Sequence, residues 1–133
     1  MSIKLFESFL IVLSITANVD LTVSFDDNEF SRSLEQIAKL IKTENARGVD
    51  RSIYFVSHCC YDHHSELKTN LEETFEELDR GLEQFWTEIK AQGNEDNVIL
   101  ASVSDFARTL TPNSSAGSDH AWGKCCKSQG YLI

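Results

Sequence analysis

Between Leu67 and Ile89 one apolar stripe recurs at helical spacing through Leu71, Phe75, Leu78, Leu82, Phe85 and Trp86, with Gly93 as the stop. Short apolar runs flank it, "SIYFVS" at residues 52–57 and "NVILASVS" at residues 97–104. This arrangement constrains the fold most. An unbroken apolar run rich in β-formers is the pattern of a strand covered on both faces. A connection containing a helix returns the chain to the same end of the sheet, so the two strands are expected to be parallel neighbours in a βαβ unit. An earlier helix is expected from the caps in "FDDNEF" and from Phe30, Leu34, Ile37, Ala38 and Ile41, ending at Gly48; Ser65 is the expected cap of the long helix. The fold class is therefore α/β with a mainly parallel sheet.

Parallel strands deliver the loops that follow them to one sheet edge, where open α/β sheets bind their ligands. After the first strand comes "HCCYDHHSEL" (residues 58–67), and after the second comes "DFARTLTPNSSAGSDHAWGKCC" (residues 105–126), read as a long functional loop. Strand direction therefore brings together Asp62, His63, His64, Asp105, Arg108, Asp119 and His120. Carboxylate and imidazole donors suit zinc or a similar divalent metal, and Asp-x-His in an extended loop points both side chains the same way. Asp62, His64 and His120 are the first-choice ligands. Asp105 could serve a second metal, and Asp119 is a further ligand or a group supporting one. Arg108 could bind an anion at such a centre, and His63 stands beside the ligands. Against these stand plainer readings: solvated loop histidines, Asp105 as a turn cap, Arg108 as an exposed charge or a partner of Asp119, and Trp122 as a loop anchor.

The remaining features narrow the function less. A formal net charge of -9 over 133 residues argues against nucleic acid as a partner, because phosphates are met by clustered Lys and Arg. Most of that excess lies along residues 65–90, as expected of one solvated helix face. The apolar run from Phe9 to Ala17 is shorter than the about 20 residues of a membrane span, and Glu7 sits badly in a signal peptide. A buried element at the domain edge is the favoured reading of residues 1–20. Cysteines occur as two vicinal pairs, Cys59-Cys60 and Cys125-Cys126. A bridge between the pairs requires Cα atoms within about 7 Å, and a structural zinc site is disfavoured by the lack of CxxC spacing. "NSS" at Asn113 matches a glycosylation sequon.

From about Leu21 to Gly123 the chain resembles the C-terminal part of the domain of unknown function 1501 family, within the alkaline phosphatase and sulfatase superfamily. The resemblance is carried by "IYFVS" leading into "YDHHSEL", by "ELDRGLEQFWTEIKAQG", by "VSDFARTLTPN" and by "GSDHAWG". It implies a three-layer α/β/α domain with metal held by residues matching Asp62, His64, Asp105 and His120. The family usually has Gly-Gly where this chain has Cys59-Cys60, and residues 124–133 diverge from it. The superfamily's nucleophile belongs to an N-terminal part that residues 1–20 cannot hold. The expectation is therefore a truncated relative of a metal-dependent phosphate or sulfate ester hydrolase, inactive by itself, with an anionic ester as its substrate class. The alternative is a non-catalytic metal-binding or interaction remnant. Either form should leave sheet edges unpaired and apolar surface exposed.

Overall fold

A computed structural model describes residues 16–121 and 129–132, with side chains described through residue 121. Its elements are α1 (Glu29–Lys42), α2 (Glu44–Arg47), β1 (Phe55–His58), α3 (Leu67–Ala91), β2 (Ala101–Ser104), β3 (Ala107–Arg108), β4 (His120–Ala121) and β5 (Gln129–Leu132). The chain is a mixed α/β fold.

The carboxamide oxygen of Asn28 accepts the Ser31 amide at 2.8 Å and caps α1. The helix stops at Lys42, earlier than the glycine predicts, because the Thr43 hydroxyl donates to the carbonyls of Lys39 and Leu40 at 2.9 and 3.1 Å. Gly48 instead ends the single turn α2, at a φ of 65°. The long helix α3 starts at Leu67 without a side-chain cap, since Glu66 occupies the left-handed region at a φ of 47° and Ser65 plays no capping part. It ends at Ala91, with Gly93 at a φ of 69° just beyond.

Phe30, Leu34, Ile37, Ala38 and Ile41 of α1 pack with Leu78, Phe85 and Ile89 of α3 and with Val56 of β1 to form the core. The two helices approach closely at Gly81, where a Cβ would stand 2.8 Å from the Phe30 ring. Leu21 and Phe25 close the core from the side of the preceding segment. That segment is fastened by the buried Glu88, whose Oε2 accepts the amides of Thr22 at 2.7 Å and Val23 at 2.9 Å. Gln84 does similar work, its Oε1 accepting the Asp26 amide and its Nε2 donating to the Asp26 carboxylate.

The sheet corrects the expected topology. Its order is β1-β5-β2, and β5 pairs antiparallel with both neighbours, so β1 and β2 are not adjacent and no parallel pair forms among the described residues. The reason lies in the tail: residues 129–132 supply the central strand, where the sequence reading placed a divergent end outside the domain. Two strands that are each antiparallel to a third share a direction. The carboxyl ends of β1 and β2 therefore still meet at one edge, which preserves the convergence of their loops. A three-layer sandwich is not what these elements build.

Helix α1 covers one side of β1, where Val56 and His58 are buried. The expectation of two fully buried strands fails for β2, all four of whose residues are exposed. A bridge between the two cysteine pairs, which the sequence leaves open, is not made by Cys59 or Cys60, because these neighbours are bonded to each other, with Cys60 at a φ of 74°. Cys125, Cys126 and Trp122, and the apolar run before Thr16, lie outside the described residues. Among the described residues, no helix is long and apolar enough to cross a membrane.

His58 sits at 4.6 Å from the Phe30 ring, and its Nδ1 is 2.8 Å from the Tyr61 hydroxyl. Burial pushes its pKa down, opposed in part by Glu77. The folded state therefore binds fewer protons here than the unfolded chain, so this stabilisation is present above the unfolded value of about 6.5 and is lost as the pH falls below it. Urea unfolding between pH 7.5 and 5.5 should show stability falling with acidity, with a shallower fall in His58→Gln.

Candidate metal centre

Beyond β1 the chain turns through the Cys59-Cys60 pair and is anchored by Tyr61, which is buried. This fixes Asp62 at the sheet edge. Two residues later the backbone of His64 and Ser65 meets the loop from the other side: Ser65 forms an isolated antiparallel bridge with Ala116. The first free amides of α3 are satisfied there, Glu66 donating to the Ser115 carbonyl at 3.3 Å and Leu67 to that of Ala116 at 3.1 Å. Gly117 makes the approach feasible, since a Cβ at that position would fall 2.1 Å from the His64 carbonyl.

The second loop is not featureless. Its β3 pairs with β4 in the register Arg108 to His120, and the Thr109 amide donates to the Asp119 carbonyl at 2.8 Å. Asn113 organises the turn between them, its Oδ1 accepting the amides of Ser115 and Gly117 at 2.9 Å and its Nδ2 donating to the His64 carbonyl at 3.0 Å. His120 is set at the end of this ladder and stacks on Phe106 at 4.2 Å.

Asp62, His64 and His120 offer donor atoms that all lie within 4.8 Å of one another. Oδ1 of Asp62 is 2.8 Å from Nε2 of His120 and 3.0 Å from Nε2 of His64. Nδ1 of His64 faces Oδ1 of Asp119 at 3.2 Å, and Asn113 Nδ2 donates to that same oxygen at 3.2 Å. The hydrogen bond from His120, helped by His64 and Arg108, lowers the pKa of Asp62. Those from Asn113 and His64 lower that of Asp119. Both carboxylates are thus held ionised well into the acid range. His64 is consequently flanked by anions on both ring nitrogens.

Residues 20–130 match the family described as Protein of unknown function (DUF1501). The chain belongs to this family. No curated protein and no solved structure matches it. The family match extends past Gly123 and into the central strand β5.

In this member of the family, the residues singled out from the sequence take different places. The first-choice ligands Asp62, His64 and His120 come together, and Asp119 supports His64 from behind. Asp105 is exposed in the bend between β2 and β3 and is not part of the donor group. Arg108 is 3% exposed. Its Nη1 donates to the carbonyls of His63 and Ser118 and its Nη2 to the Asp62 carboxylate, while the buried Nε has no hydrogen-bond partner among the described residues. His63 contributes through its backbone. Asn113 and Gly117 are the residues that sequence reasoning missed; the Asn-x-x-x-Gly spacing of a side-chain-capped turn was their only signal.

Replacing Gly117 with Ala should push the two loops apart. A backbone atom cannot yield as a flexible side chain can, so a loss of about 1–3 kcal/mol is expected in urea unfolding. Stability equal to wild type would contradict the close approach.

Proposed function

We propose that this chain is a metal-binding domain in which Asp62, His64 and His120 hold one divalent cation, with zinc suiting the donor set best. The observation that carries the reading is the double carboxylate contact of His64. A neutral imidazole has one N–H and can donate to one partner only. With Asp119 on Nδ1 and Asp62 on Nε2, a metal ion between Nε2 and the Asp62 oxygen would leave the single N–H on Nδ1 to donate to Asp119. The Nδ1 contact with a carboxylate is also the usual support of a histidine that ligates through Nε2.

The donor spacing fits. Bonds of about 2.0–2.1 Å at tetrahedral angles separate ligand atoms by roughly 3.3 Å, so contacts of 2.8 and 3.0 Å need open only slightly. Two imidazoles and a carboxylate leave a further coordination position, which bound metal can use to polarise an oxygen or to lower the pKa of water. Around that position, Asp119 orients His64, Phe106 holds the His120 ring, and Arg108 fixes the Asp62 carboxylate.

A second reading is hydrolysis of a phosphate or sulfate ester, in line with the superfamily placement and the three-layer relatives that the sequence suggests. The open edge position and the exposed donor set favour it. The burial of Arg108 weighs against it, because the guanidinium next to the site is engaged by protein oxygens and is not turned toward an incoming anion. The metal-binding reading is the one this geometry supports best.

Calorimetric titration with zinc should show one site per chain. His64→Ala and His120→Ala should each abolish measurable binding, and Asp119→Asn should weaken it about 10- to 100-fold. Equal affinity in all four proteins would refute the site. Zinc-dependent turnover of an aryl phosphate or aryl sulfate, lost in His120→Ala, would establish the hydrolytic reading, and its absence would leave the binding role alone.

A further inference from the structure

One face of the sheet is left open by the described residues. By strand alternation Phe55 of β1 and Val103 of β2 point away from α1, and Ile53 and Ile99 continue the same two rows below them. All four are strongly exposed, at 65%, 55%, 79% and 81%. The positions between them on this face are Ser57 and Ala101, so the patch carries no charge. A contiguous apolar surface of this kind marks something that covers it. Below the strands it runs into a groove of about 1050 Å³ where Ile53, Val98 and Ile99 stand beside the charged Lys42, Glu44 and Asp50.

We infer that the open face is covered by the chain's own apolar segment, residues 3–15. That segment holds Leu5, Phe6, Phe9 and the run from Leu10 to Leu13, with Lys4 and Glu7 as its charged residues. It joins the described fold at Thr16, which is buried. Four residues on, the Asp20 carbonyl accepts from Lys42 Nζ at 2.7 Å, and Lys42 is a wall of the groove that leads to Ile53 and Ile99. The segment is therefore tethered at the rim of the surface it matches in polarity. Tethering gives it an effective concentration that a separate chain must exceed to compete.

The test uses the full chain with a benzophenone amino acid, p-benzoylphenylalanine, replacing Phe55 in one protein and Ile99 in another. Both positions are exposed enough to accept the ring without repacking the core. Irradiation at low micromolar concentration should give monomeric products, with tandem mass spectrometry placing the new bond within residues 3–15. The same probe at Glu76, on the outward side of α3, should give no such product. Covalent dimers at both sheet positions would overturn the inference in favour of a surface that pairs two copies. Cross-links to other parts of the chain, or none at either position, would overturn it as well.

Discussion

The buried guanidinium of Arg108 is the interaction on which the site depends. It gathers two loops that share no secondary structure: the one after β1, through the Asp62 carboxylate and the His63 carbonyl, and the one before β4, through the Ser118 carbonyl. A cation this buried is stable only with its partners in place, because an unpaired buried charge costs several kcal/mol. The pair in turn fixes which oxygen of Asp62 faces the two histidines. Removal of Arg108 would thus dissolve the centre without touching a ligand.

Convergence of the two loops rests on strand direction, and direction survives a change of topology. Inserting β5 between β1 and β2 replaces a parallel pair with two antiparallel ones, yet leaves both carboxyl ends at one edge. The central strand comes from residues 129–132, so the sheet under the site is completed by the last part of the chain. Helix α1 covers one side of the sheet at β1, while β2 is exposed on both sides, and the side away from α1 keeps an uncharged apolar surface. A contiguous uncharged apolar surface of this kind marks something that covers it.

Periodicity carried much of this architecture. The stripe of α3 and its stop at Gly93, the core positions of α1, and the apolar runs around β1 and β2 were all legible. The element ends were less so, because side-chain competition at Thr43 and the left-handed Glu66 are local choices made by tertiary contacts. The pairing of β5 could not be read, since "QGYLI" is short and has a glycine within it. At the site, the Asp-x-His pattern after β1 and the Asp-His pair before β4 singled out Asp62, His64, Asp119 and His120. Asp105 has equal credentials in sequence, and only the bend after β2 takes it away from the group. Arg108 reads in the sequence as an anion binder, an exposed charge or a partner of Asp119, and its burial follows from the meeting of two loops.

Location of a bound metal by anomalous scattering tests the central claim most directly. Crystals of the chain grown with zinc, measured at the zinc absorption edge, should give a single strong peak about 2.0–2.2 Å from Nε2 of His64, Nε2 of His120 and the Asp62 carboxylate. Asp119 should remain on Nδ1 of His64, and Arg108 should remain buried against Asp62. A peak elsewhere on the chain, or an edge cluster without one at saturating zinc, would contradict the account.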